Sequence, residues 1–266
     1  MVNAGHATNP MELAWDEAAR GYDAYFGPRF APYLGVGVGA LLALEADLPT
    51  AGAILVPCVG PGRELASVAR AFPSRDILAS DLSGAMVSLA RERTTGLYNV
   101  SVTRADATEL GVPKDSAAGL LSVFGLQLLP NQPATLTGWL RLLRPGGRAV
   151  IVYWPRDPEP NGPFHSMRRL LRGAGIGGDD WEHDLPKSIA EAGATLRVDT
   201  RFSFEISHED AQTAWQALTR LGPLRGLAQA RGEAFVAALG EAFIADLPPG
   251  PLTHAPEARL MVAERR

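Results

Sequence analysis

Cysteine is nearly absent. Cys58 is the only one in 266 residues, so no disulfide can form within the chain, and a reducing compartment suits it. The start of the chain lacks the basic residues and apolar run of a signal peptide, and the expected location is the cytoplasm. Long apolar runs are also missing. The most apolar early stretch, Leu34 to Leu44, is too short to cross a bilayer and holds three glycines, which predicts a packed helix and no membrane insertion. Positive charge is not in excess: 25 Lys and Arg face 29 Asp and Glu, for a net charge of −4. That balance gives no general attraction for nucleic acid or anionic lipid, and no nucleic-acid partner is expected. The five histidines are His6, His165, His183, His208 and His254. No two have the close spacing of metal ligands, so no metal site is expected. There is no internal repeat, no nucleophile elbow and no Ser-His-Asp order.

What is present is an ordinary globular composition, 46% hydrophobic and 20% charged, punctuated by 28 glycines and 21 prolines. Residues 11–50 read as helices, with Gly27, Pro28 and Pro32 in a loop between two of them. Short apolar runs then alternate with helical segments. Strands are expected at Ala53–Val59, Asp76–Ser80, Val100–Ala105, Gly119–Phe124 and Gly147–Trp154. Helices are expected at Gly62–Phe72, from Ser83 as N-cap through Arg93, and at Gln132–Leu143, before a tight turn at Pro145-Gly146-Gly147. Beyond Trp154 come broken helices, a long strand at Ala194–Ile206, helices over 208–246 and a closing strand at Ala258–Glu264. This alternation predicts an α/β fold with a parallel, doubly wound sheet, whose ligand lies beyond the carboxyl ends of the strands.

The loop Val59-Gly60-Pro61-Gly62-Arg63-Glu64 joins the first strand to the first helix of the alternating region. Gly60 and Gly62 permit positive φ and close approach by a ligand, and free N–H groups at the helix start suit an anionic group. A dinucleotide site would place a third glycine where Leu65 stands, and the phosphate-loop pattern is missing as well. Asp81, 21 residues after Gly60, can accept hydrogen bonds from both ribose hydroxyls, as an acid at this position does for any nucleoside cofactor. It can equally cap the following helix.

Residues 53–154 resemble the core of class I S-adenosylmethionine (SAM)-dependent methyltransferases, close to the small-molecule branch of ubiquinone/menaquinone methyltransferase-like enzymes. Five segments carry the resemblance in order: Ile54–Gly62 (ILVPCVGPG), Leu78–Met86 (LASDLSGAM), Arg104–Ala107 (RADA), Ser122–Pro130 (SVFGLQLLP) and Leu143–Trp154 (LRPGGRAVIVYW). The resemblance implies a Rossmann-like, seven-stranded, mostly parallel sheet with an antiparallel closing strand, N-terminal helices and a helical insertion forming a cap. It implies SAM as cofactor and S-adenosylhomocysteine (SAH) as product. Cys58, Gly60 and Gly62 would cradle the methionine end, together with Phe124 and Gly125. Asp81 would bind ribose. An apolar residue near Met86 would cover adenine and Asp106 would meet its amino group, with Leu82 and Ala107 also among the cofactor-binding residues. Tyr22 would fold over the cofactor from the N-terminal segment. Two positions depart from the family pattern. Val56 stands where an acid near the methionine ammonium is usual, and Cys58 where glycine is usual. The ammonium would then turn to the backbone carbonyls of Cys58 and Phe124, with Glu64 a further candidate.

The expected organisation is an N-terminal helical lid over 1–50, hinged at Gly21 and Gly27, a SAM-binding core over 51–155, and acceptor-side helices and closing strands over 156–266. Gln127 is a candidate for substrate contact and His165 for a general base, while Tyr153 and Trp154 could line an acceptor pocket. Aromatic residues of the variable segments, among them Trp15, Tyr22, Phe30, Phe164 and Trp215, suit an apolar or planar small molecule. The expected activity is methyl transfer to an O, N or activated C atom of such a molecule by a monomer or homodimer. The alternatives are a SAM- or SAH-binding protein without transfer, an NAD-dependent oxidoreductase and a non-enzymatic interaction module.

Overall fold

A computed structural model describes residues 9–178 and 180–266; His6 lies outside the described residues. The chain begins with one long helix, α1 (Pro10–Leu42), capped by the Asn9 side chain, which accepts from the Met11 N–H. It runs through Pro28 and Pro32, where a break between two helices was expected. Both prolines lie on the exposed face, as does Ala24, whose carbonyl Pro28 leaves without its helical partner, so water can satisfy what the prolines give up. The opposite stripe, Ala14, Ala18, Phe26, Phe30, Tyr33, Gly37 and Leu41, is buried at helical spacing.

The alternating region then follows the expected order: β1 (Ile54–Pro57), α2 (Leu65–Ala71), β2 (Ile77–Asp81), α3 (Gly84–Arg93), β3 (Val100–Arg104), β4 (Ala117–Val123), α4 (Gln132–Leu142) and β5 (Leu143–Tyr153). The Pro145-Gly146-Gly147 turn is absorbed into β5, whose pairing with β4 shifts register between Ala117 and Gly119. Beyond it lie α5 (Pro163–Gly173), α6 (Leu185–Glu191), β6 (Ala194–Ser203), β7 (Ile206–His208), α7 (Ala211–Leu218), α8 (Gly222–Arg231), α9 (Glu233–Asp246), β8 (Leu252–His254) and β9 (Glu257–Arg265).

The main sheet has seven strands in the order β3-β2-β1-β4-β5-β9-β6. β9 pairs antiparallel with β5 and β6, and the other pairs are parallel. Apolar residues alternate between the two faces. Ile54, Val56, Leu121, Val150 and Val152 pack on the side of α1 and α2, whereas Leu55, Leu120, Ala149 and Ile151 pack on the side of α4 and α6. Burial of both faces is why the strands read as continuous apolar runs. The winding of successive strands reverses between β1 and β4, which stay parallel, and that switch point opens the crevice in which the site lies.

α1 helps to build the main core. Gly37 presses on β4 and β5, where a Cβ would come within 2.8 Å of Val123. Gly21 and Gly27, expected as hinges, lie inside the continuous helix. A Cβ at Gly27 would meet Arg63 Nε at 2.3 Å, so this glycine lets the guanidinium cross the helix.

Candidate functional site

The glycine loop leaves β1 with two left-handed residues in its first turn, Cys58 (φ 55°) and Gly60 (φ 53°), and Gly62 (φ 71°) follows. A Cβ at Gly62 would come within 2.8 Å of Ala90 on α3, so glycine is needed there for packing. A Cβ at Gly60 would meet nothing within 4 Å. Gly60 lines the cavity, and any side chain there would take ligand space. Cys58 adopts a conformation that glycine prefers, which matches the family's usual residue at this place. Its side chain fits because residue 125 has none: a Cβ there would lie 2.5 Å from Cys58 Cβ.

Asp81 ends β2 and holds the loop. Its Oδ2 accepts from the Gly60 N–H at 2.8 Å and its Oδ1 from the Ser83 N–H at 3.0 Å. Each oxygen keeps lone-pair capacity for a ribose hydroxyl. Burial raises its pKa, and the hydrogen bonds from Ser83 and Gly60 oppose the rise. The helix-capping role belongs to Ser83, whose Oγ accepts from the Met86 N–H at 3.1 Å. Asp106 follows β3 and makes its own turn, with Oδ1 accepting from the Thr108 N–H at 2.8 Å.

These residues surround one cavity of about 410 Å³, a size suited to a small-molecule site. Tyr22, Cys58, Gly60, Gly62's neighbours Pro61 and Arg63, Asp81, Leu82, Met86, Asp106, Ala107, Phe124 and Gly125 all line it. Gly62 itself stands behind the wall against α3. α1 roofs the cavity with Trp15, Tyr22, Gly27, Phe30 and Leu34. Burial pushes the Tyr22 phenol well above its ordinary pKa, with the charges of Glu64 and Asp81 adding to the rise, so it is a neutral hydrogen-bonding group at any physiological pH. The far wall is apolar: Val123, Phe124, Leu128, Leu129 and Pro130. Phe124, itself at φ 59°, stacks on Trp154 with centroids 4.3 Å apart.

The charge lining the cavity is acidic. Glu64, Asp81 and Asp106 contribute carboxyl groups, and Arg63 is the cation among the described lining residues. Arg63 is already engaged, its Nε 2.7 Å from Asp23 on α1. Arg93 closes on the same carboxylate at 2.5 Å. Glu64 is 6% exposed, and burial, with the nearby charge of Asp81, pushes its pKa up to about 7 against partial relief from its own backbone N–H and Arg93.

Other expected residues fall outside this cavity. Gln127 does not line it; its Oε1 is buried with no hydrogen-bond partner among the described residues. His165 sits in the first turn of α5, its backbone N–H 3.3 Å from Glu159 Oε1, and it does not line the cavity either. Tyr153 is buried toward Trp181 on one face of the sheet, and Trp154 supports Phe124 on the other. No sequence pattern marks the ribbon formed by β7 and β8 or the buried chain of polar groups it carries. Tyr25 Oη lies 2.7 Å from His208 Nδ1, His208 Nε2 3.1 Å from His254 Nε2, and His254 Nδ1 2.7 Å from Glu159 Oε2. These residues are far apart in the chain, and only the ribbon brings the two histidines together.

Known proteins resemble the chain in sequence and in fold. Residues 54–147 match the family model described as a methyltransferase domain. A demethylmenaquinone methyltransferase of Clavibacter sepedonicus is 30% identical over 165 residues, which cover 60% of this chain and 65% of the relative. The chain thus spans less than two thirds of that relative's length. Among solved structures, the YcgJ protein of Bacillus subtilis superposes with a TM-score of 0.59 at 18% identity, covering 87% of this chain and 99% of that one. Geranyl diphosphate C-methyltransferase of Streptomyces coelicolor A3(2), solved with Mg2+, geranyl diphosphate and SAH, gives 0.56 at 15% identity over the full length of both chains. The chain has the fold of these solved structures, and residues 54–147 match the methyltransferase-domain model.

Proposed function

We propose that the protein binds SAM in this cavity and transfers its methyl group to an O, N or activated C atom of a small apolar or aromatic molecule. The observation that carries this reading is the charge of the cavity. Three carboxyl residues line it, and its arginine is paired with Asp23. The pyrophosphate of a dinucleotide would face like charge there, and Leu65, fully buried, fills the place of the third glycine. A ligand with a sulfonium and an ammonium group is complementary to the same surface. A diphosphate-bearing acceptor would meet the same repulsion as a dinucleotide.

The residues present fit SAM. Asp81 would take the ribose, Leu82 and Met86 the adenine faces, Asp106 and Ala107 the adenine edge, and the Cys58–Gly62 loop with Phe124, Gly125 and Tyr22 the methionine end. The cofactor supplies a methyl group on an excellent leaving group. The chain's part is to align an acceptor along the apolar wall and exclude water beneath α1. A base is required only for an acceptor that must lose a proton. Neither Gln127 nor His165 lines the cavity, so this reading assigns a base to neither. Residues 1–50 would cover the site, 51–155 bind the cofactor and 156–266 complete the acceptor side, in a cytoplasmic monomer or homodimer. Mass spectrometry of the purified protein for co-bound SAM or SAH, with calorimetry against SAH and NAD, tests the reading. Affinity for NAD and none for SAH would sink it. SAH binding with no labelled product across a panel of apolar aromatic acceptors would instead favour a binder without transfer.

A further inference from the structure

Val56, at the place where an acid is usual, is 1% exposed and faces the core shared with α1 and α2; it does not line the cavity. An acid stands eight residues further on, at Glu64. Glu64 ends the glycine loop and lines the same cavity as Cys58 and Gly60. It is nine-tenths buried, and among the described residues no side chain forms an ion pair with it. The cations that could neutralise it, Arg63 and Arg93, are both committed to Asp23. A buried carboxylate without a cation is costly, and such groups are retained where a ligand supplies the missing charge.

We propose that Glu64 is the acceptor for the methionine ammonium of the cofactor, replacing the acid that Val56 does not supply. This assignment rests on the cofactor reading above. The groups whose charges bear on Glu64 are Asp81 of β2, which raises its pKa, and Arg93 of α3, which lowers it, and Glu64 in turn raises the pKa of the Tyr22 phenol on α1. Burial holds a large part of the Glu64 population protonated at neutral pH in the free protein. An ammonium placed against it restores the carboxylate, so binding of the charged amino acid end strengthens as pH rises through about 7. The backbone carbonyls of Cys58 and Phe124 carry no such pH dependence.

Calorimetry on wild type and Glu64→Gln separates the possibilities. The ligands are SAH, the SAH analogue with hydroxyl in place of the amino group, and 5′-methylthioadenosine, which lacks the amino acid end. Loss of a charged hydrogen bond predicts SAH binding weaker by roughly 10- to 100-fold in Glu64→Gln, with the other two ligands changed less than about twofold. The ligand-free variant should melt at or above the wild-type temperature at pH 7.5, because a buried charge has been removed; a purely structural role would lower it. Equal losses for all three ligands, or unchanged SAH affinity, would overturn the assignment and leave the cofactor reading intact. A wild-type protein that binds none of the nucleosides would overturn both.

Discussion

Asp81 and Cys58 show how much single side chains decide in this site. Asp81 links the glycine loop to the start of α3 through the Gly60 and Ser83 N–H groups. Asp81→Ala removes both struts together with the ribose contact, and SAH affinity should fall by roughly 1.5–3 kcal/mol on calorimetry with folded protein. An unchanged dissociation constant would refute the ribose assignment. Cys58 and Gly125 form a size-matched pair. Gly125→Ala alone would drive its Cβ to 2.5 Å from Cys58 Cβ and 2.8 Å from Ser122 Oγ, a clash that should cost about 1–3 kcal/mol in urea unfolding. Cys58→Gly removes the blocking atom and a non-glycine residue at φ 55°. In the double variant most of the loss should return, with a coupling energy of about 1 kcal/mol or more. Additive effects would show that the two side chains do not compete for one space.

Among the elements, the central alternation was legible because its strands are short apolar runs buried on both faces and its helices have punctuated ends. Ser83 caps α3 as its residue type predicts. α1 misled because local propensity places a break at proline, whereas solvent on the exposed face removes the penalty. The β7–β8 ribbon was illegible because each strand is only three residues long and its partner is 46 residues away in sequence. Glu64 was undervalued because its isolation depends on where Arg63 and Arg93 point. The N-terminal half of α1 is tied across the cavity by polar contacts: Glu12 to Arg104, Asp16 to Ser83 Oγ and the Ala85 N–H, and Asp23 to Arg63 and Arg93. The C-terminal half is held by apolar packing on β4 and β5. Asp23→Ala should therefore raise hydrogen exchange in residues 10–27 more than in 33–42 and weaken SAH binding several-fold, with salt producing a milder version of the same change. Uniform exchange along α1 would mean that the helix moves as one rigid element.

For the molecule as a whole, two buried groups pull stability in opposite directions over nearly the same pH range. Glu64 has a folded pKa raised to about 7 from an ordinary 4.5, so the unfolded chain loses its proton first. Its contribution is full below about 4.5 and is lost as pH rises through about 7. The difference is on the order of 3 kcal/mol. His208 has a folded pKa lowered to about 4 from 6.5, first by burial and then by the charges of His254 and Arg29. The unfolded chain gains that proton first, and stability falls as pH drops from 6.5 toward 4. His208 is packed between Tyr25 of α1 and His254 of β8, so protonating it disrupts the seam between α1 and the ribbon. Melting temperatures of the ligand-free protein from pH 4 to 8 should separate the two effects when each variant is compared with wild type. Glu64→Gln should gain on wild type as pH rises from 4.5 to 7 and hold that gain above. His208→Gln should be less stable at pH 7, where it loses packing and a hydrogen bond, and should approach wild type as pH falls toward 4. Saturating SAH should give the wild-type protein the steeper acid side of Glu64→Gln, because a bound ammonium keeps Glu64 ionised. If SAH instead raises the melting temperature by the same amount at every pH, no buried carboxylate changes protonation on binding, and the ligand's positive end lies elsewhere.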